Sequence, residues 1–244
     1  MNLKNKTILI TGGSQGIGRA LAERLAKESV HLILVARSEN RLKEFVNKYG
    51  KQHRYYVCDL SDHKQVIRLT ESIKKDFNNL DILINAAGIG VYKNLANVSF
   101  KNWTDSFSIN ITAPFLLTEK LLSLLQKEKD SLVLNIGSGA GTIPMRGRST
   151  YCATKFALRG WALSLAEEFE GNSPRFCLIT LGSTITNFSG MTIEEKQKEH
   201  SKGKAYFPVD WVANKLVEII KDDKREIEAT LYPGDFGFGT WKKP

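Results

Sequence analysis

Seven short apolar runs alternate with amphipathic stretches along the whole chain, and this alternation constrains the fold more than any other feature. The runs are Thr7–Thr11, His31–Ala36, Arg54–Cys58, Asp81–Asn85, Ser131–Ile136, Arg175–Leu181 and Ile227–Tyr232. Between them Ile17, Ala20, Leu21 and Leu25 recur at helical spacing, and Ser38 is placed to cap a helix over Glu39–Tyr49. Trp211–Lys221 gathers Val212, Leu216, Ile219 and Ile220 on one face. Strands that alternate with helices imply a parallel sheet covered on both faces. The pattern therefore predicts an α/β fold: a doubly wound, seven-stranded parallel sheet with helices on both sides.

A chain of 244 residues is enough for one such domain, and no Pro/Ser linker, repeat or low-complexity tract divides it. Residues 1–244 are read as a single domain. Asn187–Tyr206 breaks the alternation, being polar and lysine-rich. Insertions of this kind lie near the carboxyl ends of the strands, so residues 187–207 are expected to form a substrate loop. No apolar run approaches the ~20 residues of a spanning helix. Met1–Lys6 runs into the first strand without an apolar secretory stretch.

Cys58, Cys152 and Cys177 are odd in number and show neither metal-ligand spacing nor a disulfide framework. The four histidines do not cluster, so no metal is expected. Reduced thiols suit a cytoplasmic protein. The formal charge of +9 comes from scattered lysines rather than a basic helix or an aromatic platform. No nucleic-acid partner is expected, while an anionic cofactor would benefit from the positive field.

After the first strand, Thr11-Gly12-Gly13-Ser14-Gln15-Gly16-Ile17-Gly18 opens a helix. Glycines let the backbone turn tightly and approach a phosphate. The helix N-terminus then presents free N–H groups and the positive end of its dipole. Gly12, Ser14, Gln15, Gly16, Ile17 and Gly18 are therefore candidate contacts to a dinucleotide pyrophosphate, in a Rossmann-type arrangement. The second strand ends Val35-Ala36-Arg37-Ser38. A carboxylate at this place would bind a ribose 2′-hydroxyl and repel a 2′-phosphate. Ala36 offers none, Arg37 can pair with a phosphate, and Ser38 can add a hydroxyl. The cofactor expected is NADP(H) rather than NADH; the alternative is that Arg37 is a solvated loop residue.

With these motifs in this order, the chain resembles the short-chain dehydrogenase/reductase family over nearly its whole length, and within it the 3-oxoacyl reductases and related carbonyl reductases. Cys58-Asp59-Leu60 resembles the family's adenine site, which implies cofactor contacts from Asp59 and Leu60. Asn85-Ala86-Ala87-Gly88 resembles the motif that stabilises the fourth strand and lines the cofactor, which implicates Asn85, Ala86 and Gly88. Asn110, Ser138, Tyr151 and Lys155 match the catalytic set, with Tyr151-Cys152-Ala153-Thr154-Lys155 as the Tyr-x-x-x-Lys pair. After the sixth strand the family usually has Pro-Gly, a branched apolar residue and Thr. Here Leu181-Gly182-Ser183-Thr184-Ile185-Thr186 keeps Gly182 and Thr186, replaces the Pro by Leu181, and has Thr184 at the apolar place. The resemblance implies that this segment, with Thr184 and Thr186, holds the nicotinamide amide. The segment from Tyr232 to Pro244 lacks the Asp-Gly-Gly ending of many members.

The implied reaction interconverts a ketone or aldehyde and an alcohol by hydride transfer. A free Tyr has a pKa near ~10, high for acid/base exchange near neutrality. Lys155, four residues on, shares a helix face with Tyr151 and is expected to lower that value. The resemblance also implies that Lys155 and Tyr151 contact the nicotinamide ribose, that Ser138 donates to the carbonyl, and that Asn110 holds a proton-relay water. Phe188, Met191, Ile193, Tyr206 and Phe207 could hold a substrate body or, equally, simply pack the loop down. Arg146 and Arg148 could greet a CoA phosphate or an acidic carrier protein, though surface arginines are the more ordinary explanation. The expected partners are a small carbonyl or alcohol substrate and a second copy of the chain. A homodimer or tetramer would form through long helices at about Asn102–Leu125 and Thr150–Phe169, the second bearing Phe156, Trp161, Leu165 and Phe169. The alternative is a non-catalytic NADPH-sensing or regulatory protein on the same fold; structurally, Tyr151 could be a half-buried aromatic, Lys155 a solvated charge and Asn110 a buried polar residue bonded to backbone.

Overall fold

The apolar runs pair side by side in a computed structural model that describes residues Met1–Thr240. The strands are β1 (Thr7–Thr11), β2 (His31–Ala36), β3 (Arg54–Val57), β4 (Ile82–Asn85), β5 (Leu132–Ile136), β6 (Arg175–Leu181) and β7 (Glu228–Leu231). They form one seven-stranded sheet in the order β3-β2-β1-β4-β5-β6-β7, parallel throughout. The helices are α1 (Gly16–Leu25), α2 (Glu39–Tyr49), α3 (His63–Asp76), α4 (Phe100–Phe107), α5 (Ala113–Leu125), α6 (Ser149–Glu168), α7 (Ile193–His200) and α8 (Val209–Lys221). None of the described helices is long and apolar enough to cross a membrane.

Successive strand side chains point to opposite faces, and each face has its own core. Ile8, Ile10, Leu32, Leu34, Ile82 and Ile84 pack against Leu21 and Leu25 of α1, Phe45 of α2 and Leu216 of α8. Leu9, Ile33, Val35, Leu83 and Val133 pack against Val66 and Ile73 of α3 and Leu117 and Leu121 of α5. Burying such a side chain fully stabilises the fold by about 1.5–3 kcal/mol relative to exposure. The chain crosses from one face to the other between β1 and β4, which opens a crevice at their carboxyl ends.

Three local expectations change. Ser38 stands at the N-cap of α2, but its hydroxyl makes no capping bond; its carbonyl accepts from the Leu42 N–H instead, at 3.2 Å. The long helix expected over Asn102–Leu125 is two helices joined by a wide π-type turn, Ser108–Thr112. Pro114 supplies the reason: it has no N–H for the Asn110 carbonyl four residues back, so an ordinary turn cannot continue there. The insertion between β6 and α8 contains α7, begun by a capping box between Thr192 and Glu195. The insertion is closed at its base, where Ile185 N–H donates to Phe207 O at 2.9 Å and Phe207 N–H to Ser183 O at 2.8 Å. Phe207 is fully buried and stacked on Trp211, with centroids 4.4 Å apart, so it anchors the insertion and is not free for a substrate. The last residues of the C-terminal segment, 241–244, lie outside the described residues.

Candidate active site

The turn after β1 closes only because it is built of glycine. Gly12 has φ +72°, and a Cβ there would come within 3.0 Å of Ala87 Cα. A Cβ on Gly18 would lie 2.5 Å from the Gly12 carbonyl oxygen. Thr11 Oγ1 accepts from the N–H groups of Ala86 and Ala87, both at 3.1 Å, and so ties the segment after β4 to the end of β1. Beside this seam opens a cavity of about 770 Å³. It runs from the glycine turn, past Ala86 and Gly88, to Ser138, Tyr151 and Lys155, and ends under the β6–α8 insertion.

Most of the residues singled out by the sequence meet on this wall. Gly12, Gln15, Gly16, Ile17, Gly18, Ala86, Gly88, Ser138, Tyr151, Lys155, Thr184 and Thr186 line it. Ser14, Arg37, Ser38, Asp59, Leu60, Asn85 and Asn110 do not. Asn85 turns into the sheet, where its Nδ2 donates to Asn135 Oδ1 at 2.9 Å and stitches β4 to β5. Arg37 is exposed beyond the end of β2. The Asp59 carboxylate accepts from the Ser61 N–H at 3.0 Å and the Ser61 hydroxyl at 2.8 Å. The Ser61 bonds, with help from the Arg37 charge, hold Asp59 below the ordinary carboxylate value. At the same end Arg41, which the sequence did not distinguish, lines the cavity and donates to Gln15 Oε1 at 2.9 Å.

Tyr151 sits in the first turn of α6 with its ring between Tyr92 and Phe188, at centroid distances of 5.6 and 5.8 Å. It is 5% exposed. Burial pushes its phenol well above the ordinary tyrosine value, and the nearby Tyr92 adds to the rise. The Ser138 hydroxyl and the Arg148 guanidinium oppose it. The Lys155 Nζ lies over the Tyr151 ring, 5.8 Å from its centre, and donates to the Ile136 carbonyl at 2.8 Å. Burial lowers the Lys155 pKa itself to about 8.

Asn110 is buried and bonded to backbone. Its Oδ1 accepts from the Ile89 N–H at 2.9 Å, and its Nδ2 donates to Ile89 O at 2.9 Å and to Thr154 Oγ1 at 3.0 Å. That side chain is fully engaged and clamps the segment after Gly88 to the helix of Tyr151.

Lys196 of α7 was invisible as one lysine among many in a polar stretch. It is 5% exposed, and its Nζ donates to the carbonyls of Thr186 at 2.7 Å, Phe188 at 3.0 Å and Thr184 at 3.5 Å. The segment after β6 is thus pinned to the insertion that follows it. Burial lowers Lys196 to about 8 as well. No group of His, Cys, Asp and Glu among the described residues is arranged to hold a metal ion.

The profile of the short chain dehydrogenases matches residues 6–198. The chain is 30% identical over 195 residues to the 3-oxoacyl-(acyl-carrier-protein) reductase FabG of Haemophilus influenzae, covering 80% of this chain and 81% of that protein. It is 33% identical over 168 residues to the protein of the same name from Escherichia coli, covering 69% of each. Its backbone is similar to that of an alcohol dehydrogenase from the archaeon Thermococcus sibiricus complexed with 5-hydroxy-NADP, with a TM-score of 0.86, 24% identity and 99% of each chain covered. It is also similar to a short chain dehydrogenase from Burkholderia cenocepacia in complex with NADP, with a TM-score of 0.81, 26% identity, and 94% of this chain and 96% of that one covered.

Proposed function

The chain belongs to the short-chain dehydrogenase family, and from that premise we propose that it is an NADP(H)-dependent oxidoreductase interconverting a carbonyl and an alcohol, with Tyr151 as general acid/base. The observation that carries this reading is the meeting of Ser138, Tyr151 and Lys155 on one cavity wall that continues into the glycine turn. The turn has the shape a dinucleotide needs. A side chain on Gly12 or Gly18 would collide with backbone, so only glycine lets the turn close this tightly before the N-terminus of α1. Relatives of the same fold have been crystallised with NADP and 5-hydroxy-NADP.

When bound, NADPH supplies the hydride. The protein's own groups do the rest. Tyr151, kept protonated by burial, donates to the carbonyl oxygen as negative charge develops there. Ser138, two residues beyond β5, offers a second hydroxyl to that oxygen. Lys155 lies behind Tyr151, where its charge favours the phenolate once the proton has left, and where it can reach the nicotinamide ribose. Gly12, Ser14, Gln15, Gly16, Ile17 and Gly18 would hold the pyrophosphate, and Thr184 and Thr186 the nicotinamide side. Asp59 and Leu60 would face the adenine, with Arg37 and Ser38 toward the 2′-phosphate. The protein acts as a homodimer or larger oligomer in the cytoplasm, where its three free cysteines stay reduced.

The test is a panel of ketones, aldehydes and 3-oxoacyl thioesters followed by NADPH absorbance at saturating cofactor. Turnover of at least one carbonyl class, lost on replacing Tyr151 by Phe, is expected. NADPH binding with no turnover of any class would point to the sensing role instead.

A further inference from the structure

Arg148 stands three residues before Tyr151, at the N-terminal edge of α6, and lines the same cavity. Its guanidinium lies over the Tyr92 ring at 4.2 Å, and that ring packs on Tyr151 at 5.6 Å. Its Nη1 donates to the Met145 thioether at 3.4 Å, a weak acceptor. Among the described residues, no carboxylate pairs with it.

The other cations near this end of the cavity are already engaged. Lys155 donates to Ile136 O, Lys196 to the three carbonyls after β6, and Lys204 pairs with Glu199 at 2.6 Å. Arg148 is the exception: a half-buried fork of donors held flat against an aromatic ring, beside the proposed proton donor, with most of its N–H groups uncommitted. Such a fork matches a carboxylate in two parallel hydrogen bonds. The surrounding wall of Tyr92, Met145 and Phe188 suits a short apolar body.

We propose that Arg148 is a specificity-determining residue that binds a carboxylate carried by the substrate itself, a few bonds from the reacting carbonyl. The substrate class is then small oxo acids and the corresponding hydroxy acids. This rests on the reductase reading and narrows it. An acidic carrier protein would be read at the rim by exposed charges, as Arg146 is exposed and off the cavity wall. Arg148 lies within.

The experiment compares acetoacetate with its methyl ester, which keeps the carbonyl and removes the charge. Initial rates are measured with NADPH for the wild type, Arg148→Met and Arg148→Lys. The wild type should prefer the acid, and Arg148→Met should lower the acid-to-ester ratio of kcat/KM by roughly 10- to 100-fold, as loss of a charge-assisted pair does. The loss should fall mainly on the KM of the acid, because the carboxylate is bound alike in ground and transition states. Arg148→Lys should restore part of the ratio by keeping the charge without the fork. A second measurement titrates 3-hydroxybutyrate calorimetrically into the Tyr151→Phe protein holding NADP⁺, with and without Arg148→Met. Binding that depends on Arg148, in a protein whose wild type turns over neither probe nor any carbonyl class of the panel, would uphold the anion site and overturn the reductase reading. Turnover of the ester with no preference for the acid, or a ratio unmoved by Arg148→Met, would overturn the anion site and leave the reductase reading standing. Neither turnover nor binding of the acid would also overturn the anion site.

Discussion

Lys155 Nζ donates a hydrogen bond to the Ile136 carbonyl oxygen across 2.8 Å, fastening the helix that carries Tyr151 to the end of β5. Ser138 leaves that strand two residues later, so the serine, tyrosine and lysine are held on one braced unit. The same burial that secures this bond makes the lysine charge costly and brings its pKa to about 8.

The pH dependence follows from these two shifts. Burial keeps Tyr151 protonated through neutral pH, so carbonyl reduction has its acid available there. The ammonium that favours the developing phenolate is lost as pH rises through about 8. Reduction should be fast near neutrality and fall above that value. Alcohol oxidation needs the deprotonated tyrosine, so it should rise with pH up to about 8 and level off once the ammonium that favours the phenolate is lost. Rates measured in both directions between about pH 6 and 10 test this; reduction that stays level across the range would remove Lys155 from the mechanism.

Replacing Tyr151 by Phe removes the hydroxyl and keeps the ring that packs between Tyr92 and Phe188. A drop in kcat of about 10²- to 10⁴-fold is expected, the usual share of a general acid. NADPH affinity, read by fluorescence titration, should change little. Undiminished turnover would transfer the proton to another group.

Cofactor choice rests on the arginines at the far end of the cavity. Ala36→Asp combined with Arg37→Ala should shift preference from NADPH toward NADH by roughly 10- to 150-fold, mostly in the cofactor KM. Arg41 lines the cavity and bonds Gln15, whereas Arg37 lies off the wall. Arg41→Ala should therefore weaken NADPH as well. If Arg37→Ala alone leaves the ratio of efficiencies unchanged while Arg41→Ala moves it, the phosphate contact belongs to α2 and not to the end of β2.

Self-association should run through apolar side chains left in water on α4, α5 and α6. Trp103, Phe115 and Phe156 are each more than 40% exposed, and α4 touches α6. Of the residues first expected at this face, Leu165 and Phe169 pack against the core, with Phe169 against Phe176 at 5.3 Å. Light scattering at micromolar concentration should give at least a dimer mass, and Phe115→Glu with Phe156→Glu should reduce it. A monomeric wild type would show that these rings are simply solvated.

Lys196→Met should loosen the insertion without unfolding the sheet. It leaves the carbonyls of Thr184, Thr186 and Phe188 without their shared donor, at a cost of about 1–3 kcal/mol for each one left unsatisfied. Hydrogen exchange should quicken in residues 184–196 and stay slow in β1, β4 and β5, while KM rises. Exchange unchanged in the insertion would mean that the three bonds do not hold it.

The strands and the glycine turn were legible because their physics is local. A parallel strand covered on both faces must be apolar at every position, as in Ile8-Leu9-Ile10 or Leu32-Ile33-Leu34, and that composition is visible without the fold. Gly12 and Gly18 announce a close backbone approach by lacking side chains. The spacing of Tyr151 and Lys155 puts both on one helix face whatever lies opposite. What lies opposite came only from the tertiary structure. Asn110 meets Thr154 across 44 residues of chain and Ile89 across 21, contacts that no local pattern shows. The Lys155 ammonium keeps the face it shares with Tyr151, and only the fold shows that it also bonds the Ile136 carbonyl. Lys196 looks like one basic residue among many until packing places it beneath three carbonyls, and Arg148, paired in the sequence reading with Arg146, is set apart only when packing lays it against Tyr92 with no acid partner among the described residues. Backbone conformation is set by near neighbours and survives in the sequence pattern. The direction, burial and pairing of a polar side chain depend on groups brought beside it from far along the chain, and no local pattern records them.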